Sequence, residues 1–127
     1  MLKIDFNNAA TLNTKEACLH DYFISDVLFL SNNLKMHLTY IEKRSGNSSW
    51  SKTERDIEFR DVLSVSLTPG TLYCACNEIL DIESICSSST PLEVICINIL
   101  LSNKTIIFIQ CKEMTLSDGV ITASSRC

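Results

Sequence analysis

Glycine and proline are scarce in this chain, three and two among 127 residues. Collagen-like and linker-like chains need far more of both, and an apolar content of 46% is too high for a disordered tail. No apolar run reaches the ~18–20 residues that a membrane-crossing helix requires. The runs around Leu30 and Leu100 are broken by polar side chains. The opening Met-Leu-Lys-Ile-Asp-Phe-Asn-Asn lacks a charged segment followed by an apolar one and a small-residue cleavage site. No signal peptide is expected, and a cytoplasmic location is. Histidine is limited to His20 and His37. There is no phosphate-cradling Gly-rich loop, no His-Glu-x-x-His and no Gly-x-Ser-x-Gly.

Cationic side chains are missing from one long stretch. Between Arg60 and Lys104 there is no Lys or Arg, while Asp61, Glu78, Asp81, Glu83 and Glu93 give that stretch −5 and leave the rest of the chain at +1. Nucleic-acid binding draws on Lys and Arg to displace counterions from phosphates, and no basic stripe exists here. An acidic surface suits a basic protein partner instead, whose approach it steers. The plainer reading is an ordinary solvated surface that keeps the protein soluble.

Cysteine, by contrast, is plentiful: Cys18, Cys74, Cys76, Cys86, Cys96, Cys111 and Cys127. The odd number, with no export signal, argues against a disulfide framework. Cys96 sits within Val94-Ile95-Cys96-Ile97 and Cys111 follows Ile107-Phe108-Ile109-Gln110, where a thiol behaves as a small hydrophobe. Reduced structural thiols are therefore expected, with no cofactor and no metal. A zinc site built on Cys74 and Cys76 and completed by Cys86, Cys96, His20 or His37 is the sharper alternative, but paired Cys-x-x-Cys knuckles are absent.

The pattern along the chain is that of strands. Residues 1–7 predict a short strand with Ile4 and Phe6 on one side, and Thr14 is placed to cap a short helix through Leu19. Residues 22–30 are rich in β-branched and aromatic side chains, and Ser31-Asn32-Asn33 has turn chemistry. Leu34, Met36, Leu38 and Tyr40 then alternate with Lys35, His37 and Thr39, which predicts a hairpin with one buried and one wet face. Residues 43–53 read as a polar loop holding Trp50. Ile57, Phe59, Leu63, Val65 and Leu67 alternate with charged and polar residues, and Asp61 interrupts the series, so a bend, bulge or buried partner is expected there. Pro69-Gly70 marks a turn and residues 71–76 another strand. Residues 77–86 fit a helix capped by Asn77 or an irregular edge strand, the latter in keeping with their neighbours. The nearly continuous apolar runs 92–101 and 105–111 read as a central hairpin covered on both faces. The expected fold is mainly β, alternatively α+β. It is one domain over residues 1–127, an antiparallel sheet or flattened β-sandwich or half-barrel with at most one or two short helices.

Catalysis has little to work with. His37 falls on the polar face of a strand, where a histidine is exposed and idle, and His20 next to Asp21 fits a backbone cap. A Cys18–His20 pair would face one way on a strand, but nothing supplies an oxyanion hole. Asp56 and Glu58 share a strand face and, flanked by Arg60, look like a solvated charge row rather than an acid/base pair. No catalytic residue is assigned, and the chain is expected not to be an enzyme.

A resemblance adds a direction. Leu19-His20-Asp21 leads into the strands at 22–30 and 34–40. Asp56-Ile57-Glu58-Phe59-Arg60-Asp61-Val62, Glu78-Ile79-Leu80 and the closing hairpin around Thr105-Ile106-Ile107 follow. Over residues 19–112 this layout resembles small cytosolic β-rich bacterial immunity proteins of toxin–immunity pairs. The resemblance implies a non-catalytic inhibitor that neutralises a toxin domain, such as a basic nuclease, by occlusion. The partner-binding candidates are Asp56, Glu58, Glu78, Asp81, Glu83 and Glu93 as charges, with Trp50 and Tyr73 as aromatic anchors. Oligomerisation through a sheet edge and small-ligand or metal binding by a β domain are the competing expectations.

Overall fold

The computed structural model describes residues 1–8, 19–43, 49–68, 79–88 and 93–125, with the side chains of residues 80–88 excepted. Among these described residues ten strands form two antiparallel sheets: β1 (Leu2–Asp5), β2 (Phe23–Leu30), β3 (Asn33–Lys43), β4 (Trp50–Arg60), β5 (Ser64–Thr68), β6 (Ile79–Ser88), β7 (Val94–Leu101), β8 (Ile106–Cys111), β9 (Glu113–Leu116) and β10 (Val120–Ser125). Sheet A runs β1-β9-β4-β3-β2, with β10 also on β4, and sheet B runs β5-β8-β7-β6. The sheets are not closed into a barrel, and the class is mainly β.

Period-two alternation sets the faces. Leu34, Met36 and Leu38 of β3 are buried, and Met36 and Leu34 lie opposite Ile57 and Phe59 of β4. The other edge of β4 is shared. Residues from Trp50 to Glu54 pair with β10 and residues from Ile57 to Arg60 with β9. Where β9 gives way to β10, the Asp56 N–H donates to Ser117 Oγ at 2.7 Å and the Ser117 N–H donates back to the Asp56 carbonyl at 2.9 Å.

Two strands change sheet at one level. The chain leaves β4 through residues 61–63 into β5, and leaves β8 through Lys112 into β9. The Lys112 N–H donates to the Arg60 carbonyl (3.2 Å) and the Leu63 N–H to the Gln110 carbonyl (2.8 Å). β4–β5 and β8–β9 are therefore one long antiparallel pair folded at a common crease. Asp61 makes the fold with a left-handed backbone, φ 52°, and its N–H donates to Asn33 Oδ1. A second tie joins the starts of β2 and β6: the Ile79 N–H donates to the Tyr22 carbonyl and the Asp21 N–H to the Ile79 carbonyl.

One apolar core lies between the sheets, with Ile4, Ile57, Phe59, Met114 and Leu116 from one side and Ile95, Ile97, Ile99, Ile109 and Cys111 from the other. The hairpin about Ser31-Asn32, the bend at Asp61, the strand at 79–88 and the central position of β7 and β8 agree with the sequence reading. Other expectations are corrected. β1 ends at Asp5, and Phe6 lies in a 3₁₀ turn over residues 6–8, closed by the Asp5 N–H on Asn8 Oδ1 at 2.7 Å. The polar loop after β3 is shorter than predicted, because β3 extends to Lys43 and β4 begins at Trp50. Residues 113–125, which the pattern left unassigned, supply β9 and β10. The predicted helix near Thr14 and the strand at 71–76 lie outside the described residues, apart from Leu19, which is buried.

Candidate functional site

The outward face of sheet A is a lattice of charge. Alternation on β3 and β4 sends Lys35 and His37 to the same side as Glu54, Asp56 and Glu58, and the register sets His37 opposite Asp56 and Lys35 opposite Glu58. His37 is held at both ring nitrogens: Nδ1 lies 2.7 Å from Asp56 Oδ1 and Nε2 lies 2.9 Å from Glu54 Oε1. An ionised carboxylate can only accept, so two such contacts call for an imidazolium that donates twice. The hydrogen bonds to Glu54 and then Asp56 hold the His37 pKa above its ordinary value against a small opposing effect of burial. The His37 bond, with a smaller one from Thr122, holds the Glu54 carboxyl below its ordinary value.

The remaining carboxylates are also paired. Arg60 Nε donates to Glu58 Oε1 at 2.6 Å, a contact that raises the guanidinium pKa, and Arg60 Nη1 lies 3.7 Å from Glu113. Lys35 is 3.9 Å from Asp56, Lys52 is 3.7 Å from Glu54, and Lys3 is 3.5 Å from Glu113. Asp56 and Glu58 therefore sit in a mixed network, as a solvated charge row does. His37 is not idle, contrary to the sequence reading. With both ring nitrogens donating, it has no lone pair to act as a base or to bind a metal. Among the described residues, no group of three or more His, Cys, Asp or Glu side chains is arranged to hold a metal ion.

The predicted partner-binding residues do not converge. Asp56 and Glu58 are on sheet A. Asp81 and Glu83 are on β6 of sheet B at register positions opposite Leu100 and Asn98, and Glu93 is exposed just before β7. Trp50 opens β4 opposite Lys43 and Ser125, partly exposed beside an open groove of about 380 Å³ lined also by Glu42, Ile121 and Ser124. Glu78 and Tyr73 lie outside the described residues. His20 is exposed, with Nε2 3.3 Å from Asp21 Oδ1, and Cys18 lies outside the described residues. Cys96 and Cys111 are buried and outside any disulfide, and burial pushes Cys111 up to about 12, far from the range in which a thiolate attacks.

A different feature of β2 was not singled out by sequence reasoning. Among the described residues β2 is an outer strand of sheet A, paired with β3. Its residues Val27, Leu28, Phe29 and Leu30 are consecutive, apolar and 49–62% exposed. Val27 and Phe29 lie in register with core residues Met36 and Leu34, yet stand uncovered, while Leu28 lies beside Lys35 on the charged face. On sheet B, the outer strand β5 likewise leaves Val65 and Leu67 exposed. The link into β5 is joined to the β2–β3 turn, since the Val62 N–H donates to the Asn32 carbonyl at 2.7 Å. In the sequence, a run of four apolar residues reads equally well as a buried strand. The signal that separates the two is position in the sheet. Compared with protein-family models, curated proteins and solved structures, the chain matches none of them.

Proposed function

We propose that this chain is a non-catalytic protein-binding module that associates through the β2 edge of sheet A. The observation that carries the reading is the exposed row Val27, Leu28, Phe29 and Leu30 on a strand that is outermost in sheet A among the described residues. An outer strand presents unpaired N–H and C=O groups to any extended segment, and proteins normally blunt such edges with lysine, proline or extreme shortness. β2 has eight residues and neither Lys nor Pro; its bulge between Ile24 and Asp26 and its single charge, Asp26, lie towards its start and leave Val27 to Leu30 regular and apolar. Strand addition supplies main-chain hydrogen bonds, while the alternating apolar side chains supply burial on both faces. Inhibition of a toxin domain by occlusion, of the immunity type, is one use of such an edge. The version of that idea built on an acidic face draws less support, because Glu54, Asp56 and Glu58 already have cationic or imidazolium partners.

The test compares the tagged wild-type protein with Phe29→Lys and Glu58→Lys, each purified from the cells that make the protein. The expected result is one protein, another gene product or an untagged copy, retained in stoichiometric amount by wild type and Glu58→Lys and lost by Phe29→Lys. Equal retention by Phe29→Lys overturns the reading.

A further inference from the structure

We propose that His37 is a proton-operated latch for β10. While both ring nitrogens carry protons, His37 fixes Glu54 where it holds Thr122; once one proton is lost, β10 loosens from β4 around Thr122 and the rest of sheet A stays in place. This device is independent of the β2 edge.

The latch is built on a defect in the strand ladder. Ile121 lies opposite Thr53 and Ala123 opposite Lys52, so Thr122 is the extra residue of a bulge, with no residue of β4 across from it. Its hydroxyl donates to the Glu54 carboxylate instead. The same carboxylate lies 2.9 Å from His37 Nε2 and 3.7 Å from Lys52 Nζ. His37, Glu54 and Thr122 thus form one chain of contacts across β3, β4 and β10. Among the described residues β10 pairs with β4 alone, and Val120 and Ile121 are 59% and 66% exposed, so little burial adds to this tie. The opening has a natural limit at Ser117. There the Asp56 N–H donates to Oγ, the Ser117 N–H donates to the Asp56 carbonyl, and Arg55 Nε donates to the Ser117 carbonyl at 2.9 Å. β9 therefore lies outside it.

A neutral imidazole keeps one N–H and exposes one lone pair. Asp56 is directly opposite His37 in register, at the shorter distance of 2.7 Å and on main chain tied to Ser117, so the remaining proton stays on Nδ1. The Nε2 lone pair then faces the Glu54 carboxylate, acceptor against acceptor. Glu54, on the longer side chain, swings towards Lys52 and leaves the Thr122 hydroxyl. The other charged groups around His37 lie in two grooves. Asp26 of β2 and Lys35 of β3 share one with Asp56, and Asp118, Arg55 and the Met1 amino group share the other with Glu54 and Asp56. The Met1 amino group is 2.9 Å from Asp118, a second proton-dependent contact next to β10 that the experiment must separate. The two carboxylates hold the His37 proton above the ordinary imidazole range, so the latch is closed below about pH 6.5 and opens as pH climbs through the folded value. Glu54, held below its ordinary value, stays ionised throughout.

Amide hydrogen exchange on the full chain from about pH 5.5 to 8.5, corrected for the intrinsic pH dependence of exchange, tests this. The proteins are wild type, His37→Gln and Thr122→Val, each checked for native circular dichroism, and nitrogen-15 spectra of the imidazole report His37 in the same samples. In wild type, protection of the slow amides among residues 121–124 is expected to fall about threefold as pH rises, with the midpoint of the His37 titration. Residues 113–116 and 34–38 are expected to keep theirs. Thr122→Val is expected to show low, pH-independent protection in β10 while His37 still titrates, and His37→Gln the same flat profile. Flat protection in wild type overturns the inference, as does a midpoint that departs from that of His37 or a loss shared equally by residues 113–116. A pH response that survives Thr122→Val removes the link through Glu54. One that survives His37→Gln belongs to the Met1–Asp118 pair and overturns the latch. If His37→Gln does not fold, wild type and Thr122→Val decide the matter between them.

Discussion

The His37 clamp makes stability depend on pH in a direction that can be worked out beforehand. In the unfolded chain the imidazole titrates near its ordinary value of ~6.5. In the folded chain the carboxylates of Glu54 and Asp56, 2.9 and 2.7 Å away, hold the proton to higher pH. A raised folded value means a contribution complete below about pH 6.5 and lost as pH climbs through the folded value. Glu54 behaves in the opposite sense. Its depressed value gives a contribution present above the ordinary carboxyl range and lost as pH falls through the folded value. Both operate between about pH 4.5 and 6.5. The His37 side chain is 37% exposed, so solvent screens the pairs. Replacing it by glutamine is expected to cost about 1 kcal/mol near pH 6. In a domain of this size that is about 4 °C in Tm, shrinking as pH climbs from 6 through the raised folded value. Thermal unfolding of wild type and His37→Gln across that range measures the gap, and nitrogen-15 spectra of the imidazole measure the titration and show whether both nitrogens carry protons. A Tm gap that does not change with pH, or a His37 that titrates at or below the free imidazole value, refutes the clamp.

The core and the crease give three more expectations. Phe59 is fully buried, so Phe59→Ala is expected to cost about 3–5 kcal/mol, read as a lower denaturant midpoint at unchanged slope. Asp61→Gly is expected to leave stability within about 0.5 kcal/mol of wild type, while Asp61→Val costs about 1–2 kcal/mol, because a β-branched side chain opposes the left-handed backbone. Equal urea midpoints for the two variants would contradict the strain argument. Cys111, buried and pushed up to about 12, is expected to resist iodoacetamide in the native protein and to react on unfolding, as followed by peptide mass spectrometry.

Legibility followed the physics of each feature. Where a strand has one wet face, alternation names its inward residues, so Leu34, Met36, Leu38, Ile57 and Phe59 were readable as core. Asp61 was readable as a break because a charged residue interrupts that period. Register was not readable, since residues 43–53 gave no turn signal that fixes loop length, and a one-residue shift changes which acid faces His37. The clamp therefore exists only once β3 and β4 are aligned. β9 and β10 escaped notice because Glu113 to Leu116 is four residues long and β10 is mostly exposed, with a bulge between Ile121 and Ala123. The exposure of β2 depends on strand order, a property of the whole sheet that no local window contains.

The pairing of β1 with β9 also governs when the fold can complete itself. Leu2 to Asp5 align with Glu113 to Leu116, so β1 waits for a strand made more than a hundred residues later. The β2–β3–β4 meander has neighbours close in sequence and is ready to form on its own, but the far edge of β4 and the ceiling over its apolar face arrive only with β7 to β10. On a ribosome the nascent chain therefore carries Met36, Ile57 and Phe59 on a half-built sheet until β7 to β10 have been made. Closure of so distant a pairing is slow, and the intermediates that precede it expose apolar surface and unpaired strand edges.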